Sequence, residues 1–171
     1  MEFNVIDSKG FLSHCEVAAL IIANLPINPH TKHHIRGAIR EASLKVTNNK
    51  GRGTTASYIS VSARETIDGL ATPDGLVLEH VVPVSLINEK VLSLEKPTKF
   101  QVAEVVYEWT VLATVTREQH QLLRARGLND RMPSGWDGVD KFARYKTCSI
   151  QLVECAKTPE GSDGYRTDAT E

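Results

Sequence analysis

The stretch GLVLEHVVP, residues 75–83, carries a charged and titratable pair, Glu79 and His80, near the end of an apolar run. Branched apolar side chains favour a β-strand, and Pro83 cannot continue one in the interior of a sheet. Polar and charged groups are costly to bury without partners, so this pair needs an explanation. Adjacent side chains of a strand point to opposite faces, so one site can use both only where the strand ends or bends.

An acid beside a histidine at a strand end offers a metal ligand next to a general base. The alternative is a buried histidine that bonds a backbone carbonyl, with Glu79 at a solvated edge. A second segment bears on this choice. VLATV (residues 111–115) predicts a strand, and TREQHQLLRAR (residues 116–126) predicts a helix that begins at a capping box formed by Thr116 and Gln119. Such a helix can return His120 beside the first strand, so we expect Glu79, His80 and His120 to lie together.

Two segments, LEHVVPVSLI and VLATVTREQHQLL, resemble the HNH, or ββα-metal, nucleases over roughly Leu76 to Arg126. The resemblance implies an α+β fold in which a ββα-metal catalytic unit packs with additional helices. It implies that Glu79 and His120 bind one divalent ion, Mg²⁺ or Mn²⁺, with Zn²⁺ also compatible, and that His80 is the general base. Phosphodiester cleavage needs an activated water and compensation of the developing negative charge, which these groups can supply.

The chain departs from the family pattern at the second strand, where the family usually has an asparagine. That place falls near Thr110 or Val111, and we assign Thr110 as the candidate that makes a related hydrogen bond. Forty positions, filled by two predicted helices, separate His80 from His120. The alternatives to a nuclease are therefore a nucleic-acid-binding module that kept the fold and lost catalysis, and a protein-interaction module.

Basic residues cluster locally although the formal net charge of the chain is −1. One cluster, between His30 and Arg52, has a single acid, Glu41, against six basic residues: Lys32, Arg36, Arg40, Lys45, Lys50 and Arg52. Local positive patches on a neutral protein suit anion docking, and they equally suit solvated helix faces. By family habit DNA is favoured over RNA as the partner. The predicted nucleic-acid contacts are Lys45, Lys50, Arg52, Arg117 and Arg124.

Hydrophobic periodicity predicts the remaining elements. SHCEVAALIIANL predicts a helix over residues 13–25, capped by Ser13 with Glu16, and HTKHHIRGAIREASLKV predicts one over residues 30–46. Residues 58–70 predict a short helix, or a strand and a helix. We expect one domain: N-terminal helices in 1–70, the ββα unit in about 75–127, an extension in 128–156, and a disordered polar tail in 157–171.

Composition narrows the class of protein. The chain has 171 residues, 41% of them hydrophobic and 24% charged, which is typical of a globular domain. No apolar run is long enough to span a bilayer, so no membrane partner is expected. Three cysteines without CxxC spacing argue against a disulfide framework and against a four-thiolate zinc site. These features favour a cytoplasmic protein, and restriction, phage defence and mobile-element functions all stay open. A homodimer would suit the cutting of two strands.

Overall fold

A computed structural model describes residues 3, 5, 7–46, 56–68 and 75–155 of the chain. Seven helices and a four-stranded sheet form this part of the chain, which confirms the α+β class. The helices are α1 (Ser8–Asn24), α2 (Pro29–Ser43), α3 (Val61–Asp68), α4 (Val84–Leu92), α5 (Lys99–Trp109), α6 (Arg117–Ala125) and α7 (Ala143–Thr147). The strands are β1 (Tyr58–Ser60), β2 (Leu76–His80), β3 (Leu112–Thr116) and β4 (Leu152–Glu154).

The sheet has the strand order β2-β3-β1-β4. β2 runs antiparallel to β3, with Glu79 opposite Ala113 and His80 opposite Leu112. β1 runs parallel to β3 and antiparallel to β4. α6 follows β3 without a loop, so β2, β3 and α6 form an antiparallel strand pair followed by a helix. α4 and α5 connect the two strands, as the sequence predicted for the segment between them.

Two hydrophobic clusters pack on either side of the end of β2. The first cluster, here called the helical cluster, joins buried side chains of α1, α2, α4 and α5 and includes Val82. The second, the sheet cluster, joins β3, α6 and α7 and includes Val81. Both valines are fully buried, and each stabilises the fold by about 1.5–3 kcal/mol through removal of its apolar surface from water. The two consecutive valines therefore connect the two halves of the structure.

The observed starts of the first two helices can be compared with the starts that the sequence predicted. The predicted start of α1 at Ser13 is wrong: Asp7 is the N-cap and accepts a hydrogen bond from the Gly10 N–H at 2.8 Å. The earlier start allows Phe11 to be fully buried. The predicted start of α2 is confirmed to within one residue, because Asn28 caps the helix, but α2 ends at Ser43 rather than at residue 46.

The start of α6 is confirmed in detail, because the Thr116 side chain accepts from the Gln119 N–H at 3.3 Å and the Gln119 side chain accepts from the Thr116 N–H at 3.1 Å.

Residues 58–68 form a strand followed by a helix, one of the two predicted alternatives. Among the described residues, no helix combines the length and apolar character that a membrane span requires. The expected tail, residues 157–171, lies outside the described residues.

Candidate functional site

The end of β2 directs Glu79 and His80 to different neighbours, as strand alternation requires. Glu79 faces α6, where its Oε1 contacts Nδ1 of His120. His80 faces α2, where its Nε2 lies 2.7 Å from the Ser43 hydroxyl. The structure thus brings two of the three expected site residues into direct contact and turns the third to the other side of the strand. Glu79 and His80 nevertheless line one common cavity.

Arg144 of α7 holds this strand end in place, a role that the sequence did not suggest. Its side chain is 1% exposed, and its five N–H groups have five acceptors. Three acceptors belong to the end of β2 and two to the loop after α6. They are the Val81 carbonyl (2.8 Å), the His80 carbonyl, Glu79 Oε2 (3.4 Å), the Leu128 carbonyl (2.6 Å) and the Asn129 carbonyl (3.2 Å).

The hydrogen bonds around Ser43 set the protonation of His80. The Ser43 hydroxyl is fully buried and donates its one hydrogen to the Arg40 carbonyl at 2.7 Å. It can therefore only accept a hydrogen from His80, so Nε2 carries the proton and Nδ1 keeps its lone pair. Full burial also excludes Ser43 as a nucleophile, although a serine beside a histidine is the usual arrangement for one.

Burial, and then the positive charges of Arg40 and Arg144, lower the pKa of His80 from 6.5 to about 4. Burial acts in this direction because it penalises the charged imidazolium, and like charges act in the same sense. His80 is therefore neutral at physiological pH. A neutral imidazole with a free Nδ1 lone pair is the form that can accept a proton.

A cavity of about 430 Å³ opens beside His80. One wall is α2, which contributes His33, Arg36, Gly37 and Arg40. Positions i, i+3, i+4 and i+7 of a helix share one face, and the buried residues Ile35, Ala38, Ile39 and Ala42 occupy another. The remaining lining comes from the end of β2, the start of α4, the loop after α6, and Arg144. The spacing of basic residues on α2 was the available sequence signal for this wall.

Three of the five predicted nucleic-acid contacts, Lys45, Arg117 and Arg124, do not line the cavity. Arg117 and Arg124 are exposed on α6 and do not line the cavity. Lys45 forms an ion pair with Asp7 at 3.4 Å. The other two predicted contacts, Lys50 and Arg52, lie outside the described residues.

Thr110 does not make the hydrogen bond that was expected of it. It ends α5, where its backbone N–H donates to the Val106 carbonyl at 3.0 Å. Its side chain is buried, and the hydroxyl has no hydrogen-bond partner among the described residues. A threonine side chain is one bond shorter in reach than asparagine and carries one polar atom. Among the described residues the Thr110 side chain therefore forms no hydrogen bond, and its part in a reaction stays a prediction.

Glu79 and His120 supply one carboxylate oxygen and one imidazole nitrogen that lie side by side. Within the described part of the chain no group of three or more histidine, cysteine or acidic residues could hold a metal ion. Mg²⁺ and Mn²⁺ commonly keep several waters and take few protein ligands, and imidazole also suits Zn²⁺. A carboxylate and an imidazole are thus donor types that such ions accept, and here the two groups contact each other.

Comparisons of the chain with protein-family models, with curated proteins and with solved structures return no match. The resemblance to the HNH nucleases therefore depends on the residues of this chain and on their arrangement at the end of β2.

Proposed function

We propose that the protein is a metal-dependent endonuclease of the HNH (ββα-metal) type, which hydrolyses phosphodiester bonds of nucleic acid, DNA in preference to RNA. One observation carries the proposal. A neutral histidine with a free lone pair, His80, shares a cavity with two arginines of α2, while the adjacent Glu79 contacts His120. The cavity thereby combines a proton acceptor, positive charge for a phosphate, and the Glu79 carboxylate, which also contacts His120 outside the cavity lining.

In this reaction Nδ1 of His80 accepts a proton from the attacking water. The water oxygen forms a bond to phosphorus, and the bond from phosphorus to the ester oxygen breaks. Ser43 holds the imidazole through Nε2 at 2.7 Å, so the ring cannot turn its lone pair away. The Arg40 and Arg36 guanidiniums, which line the same cavity, bind non-bridging phosphate oxygens.

Glu79 and His120 would hold the divalent ion, which supplies stabilisation of the charge that develops on the phosphate and on the leaving oxygen. Arg144 fixes the Glu79 carboxylate through Oε2 at 3.4 Å. A phosphate in the cavity also acts on His80 itself. The negative charge of the phosphate offsets the positive charge of Arg40, which is one of the groups that lower the pKa of His80. Substrate binding therefore raises the pKa of His80 and makes it a stronger base.

A cleavage assay tests the proposal. Purified protein is incubated with plasmid DNA and with a structured RNA, in Mg²⁺, in Mn²⁺ or in EDTA. The variants are His80→Ala and the control His34→Ala, which alters an exposed histidine of α2 outside the cavity. We expect cutting that requires metal, persists in His34→Ala and disappears in His80→Ala. Absence of cutting with every metal, or equal cutting by His80→Ala, would refute the nuclease.

A catalytically inactive nucleic-acid-binding module is the second candidate function. It is favoured by one observation, the Thr110 hydroxyl without a partner in the described residues, at the place where the family usually has an asparagine. This candidate predicts DNA binding that weakens steeply with salt, together with no cleavage in any metal. Binding measured in parallel with the cleavage assay separates the two functions.

A further inference from the structure

The cavity-facing row of α2, formed by His33, Arg36, Gly37 and Arg40, has positive charge that no ion pair of the described residues neutralises. Arg36 and Arg40 are exposed, and within residues 7–46, 56–68 and 75–155 no carboxylate pairs with either guanidinium. Unpaired arginines that line a cavity raise the local concentration of anions. The planar guanidinium matches phosphate oxygens in a two-point contact.

Gly37 lies between the two arginines, and neither packing nor conformation requires a glycine there. A β-carbon at this position would meet no atom within 4 Å, and the residue is helical. A glycine in a helix interior costs about 1 kcal/mol relative to alanine. A glycine on an exposed helix face also lets a ligand approach the backbone closely.

We infer that this row of α2 binds the sugar–phosphate backbone of the substrate strand, with Gly37 leaving room for the strand to lie against the helix. The inference rests on the proposed function and names the part of the substrate that α2 holds. From His33 to Arg40 the row is ~10 Å long, and a DNA strand presents a phosphate every ~3.4 Å of helix axis. The row therefore extends past a single phosphate group, and its two arginines can contact two successive phosphates.

The position of the row also explains how the strand reaches His80. Arg40 is the last residue of the row, and its carbonyl accepts the hydrogen bond from Ser43, which in turn binds His80. A strand held along α2 is thereby led to the His80 imidazole. The α2 row lies outside the antiparallel strand pair and α6, so it extends the substrate contact beyond the Glu79–His120 pair.

Binding without cleavage tests this inference. Fluorescein-labelled single-stranded DNA of about 20 nucleotides is titrated with protein in EDTA, and anisotropy is followed at several salt concentrations. The variants are Arg36→Ala, Gly37→Ala and Arg40→Ala. Lys32→Ala is the matched control, because it removes one positive charge from an exposed position of α2 outside the cavity.

We expect Arg36→Ala and Arg40→Ala each to lower the slope of log affinity against log salt by about 0.7, and Lys32→Ala to leave the slope unchanged. Gly37→Ala is expected to raise the midpoint of thermal unfolding by about 2–4 °C and yet to weaken DNA binding at least fivefold. A glycine that takes no part in binding would give the first effect without the second.

Wild-type affinity in Gly37→Ala, or arginine variants that match Lys32→Ala, would overturn the inference. Two unlabelled competitors, the oligonucleotide and thymidine monophosphate, are compared at the same nucleotide concentration. Equal displacement of the labelled DNA by both would also overturn the inference, because the row would then bind single phosphates. Cleavage plays no part in these measurements. A protein that binds through α2 but never cuts would refute the nuclease while leaving the α2 contact in place.

Discussion

The buried guanidinium of Arg144 donates a 2.8 Å hydrogen bond to the carbonyl oxygen of Val81. This contact joins α7 to Val81, the residue directly after β2. The neighbouring carbonyls of His80, Leu128 and Asn129 receive hydrogen bonds from the same side chain. One side chain therefore satisfies backbone groups of two segments that flank the cavity.

Substitution of Arg144 by methionine should lower the free energy of unfolding by about 3–5 kcal/mol, because Oε2 of Glu79 and the carbonyls of the buried residues Val81 and Leu128 lose this donor. Urea denaturation measures the loss. Arg124→Met, at an exposed position of α6, is the control and should change stability by less than about 0.5 kcal/mol. Equal denaturation midpoints for the two variants would contradict the role assigned to Arg144.

The lowered pKa of His80 predicts a pH dependence of stability in metal-free protein. The folded value is about 4 against 6.5 for an ordinary histidine, so between these values protons bind the unfolded chain preferentially. The contribution of His80 is fully present above pH 6.5. It is lost as pH falls to 4, by up to about 3 kcal/mol.

Urea denaturation in EDTA at a series of pH values checks this prediction. His80→Gln should show a shallower loss of stability between pH 6.5 and pH 4 than the wild type. His34→Gln, which changes an exposed histidine, should keep the wild-type slope. A His80→Gln profile parallel to that of the wild type would argue against the assigned pKa.

Ser43→Ala should destabilise the protein by about 1–3 kcal/mol, because the buried Nε2–H of His80 loses its acceptor. The His80 imidazole should also become a mixture of its two neutral tautomers. Nitrogen-15 NMR of the histidine ring measures the tautomer directly. Ser93→Ala is the matched control, since Ser93 likewise donates to a carbonyl three residues earlier at 2.7 Å, but at an exposed turn. A His80 ring that keeps its proton on Nε2 in Ser43→Ala would disprove the assignment.

The observed start of α1 predicts different effects for two caps. Asp7→Ala should lower the midpoint of thermal unfolding, because the Gly10 N–H loses its acceptor. Ser13→Ala should leave the midpoint unchanged or raise it, because Ser13 is exposed inside the helix and alanine is the better helix former. Circular dichroism on heating measures both, and the reverse order would restore the helix start that the sequence suggested.

Local sequence signals were sufficient where one segment carries the whole interaction. The capping box of Thr116 and Gln119 needs only four consecutive residues, and it is found in the structure as predicted. The alternation of Glu79 and His80 is equally local, because a strand imposes it. The contact between Glu79 and His120 could be anticipated because a strand followed at once by a helix restricts where the helix can go.

The missed contacts all depend on packing between distant segments. Arg144 reaches Val81 across 63 positions and Ser43 reaches His80 across 37, and no short pattern records either pairing. The α2 wall was missed for another reason. Its basic residues belong to a longer basic stretch of the sequence, and only the position of α2 beside β2 distinguishes the row that faces the cavity from the rest.

Because Val81 and Val82 pack into different hydrophobic clusters, the two walls of the cavity belong to different units, and we expect these units to open separately. Loss of the helical cluster would carry Ser43 and the arginines of α2 away from His80, while Glu79 and His120 stay joined to the sheet cluster. A nucleic-acid strand that contacts both walls binds only when the two units are closed. Bound DNA should therefore slow amide hydrogen exchange throughout α2, far beyond the residues that it touches.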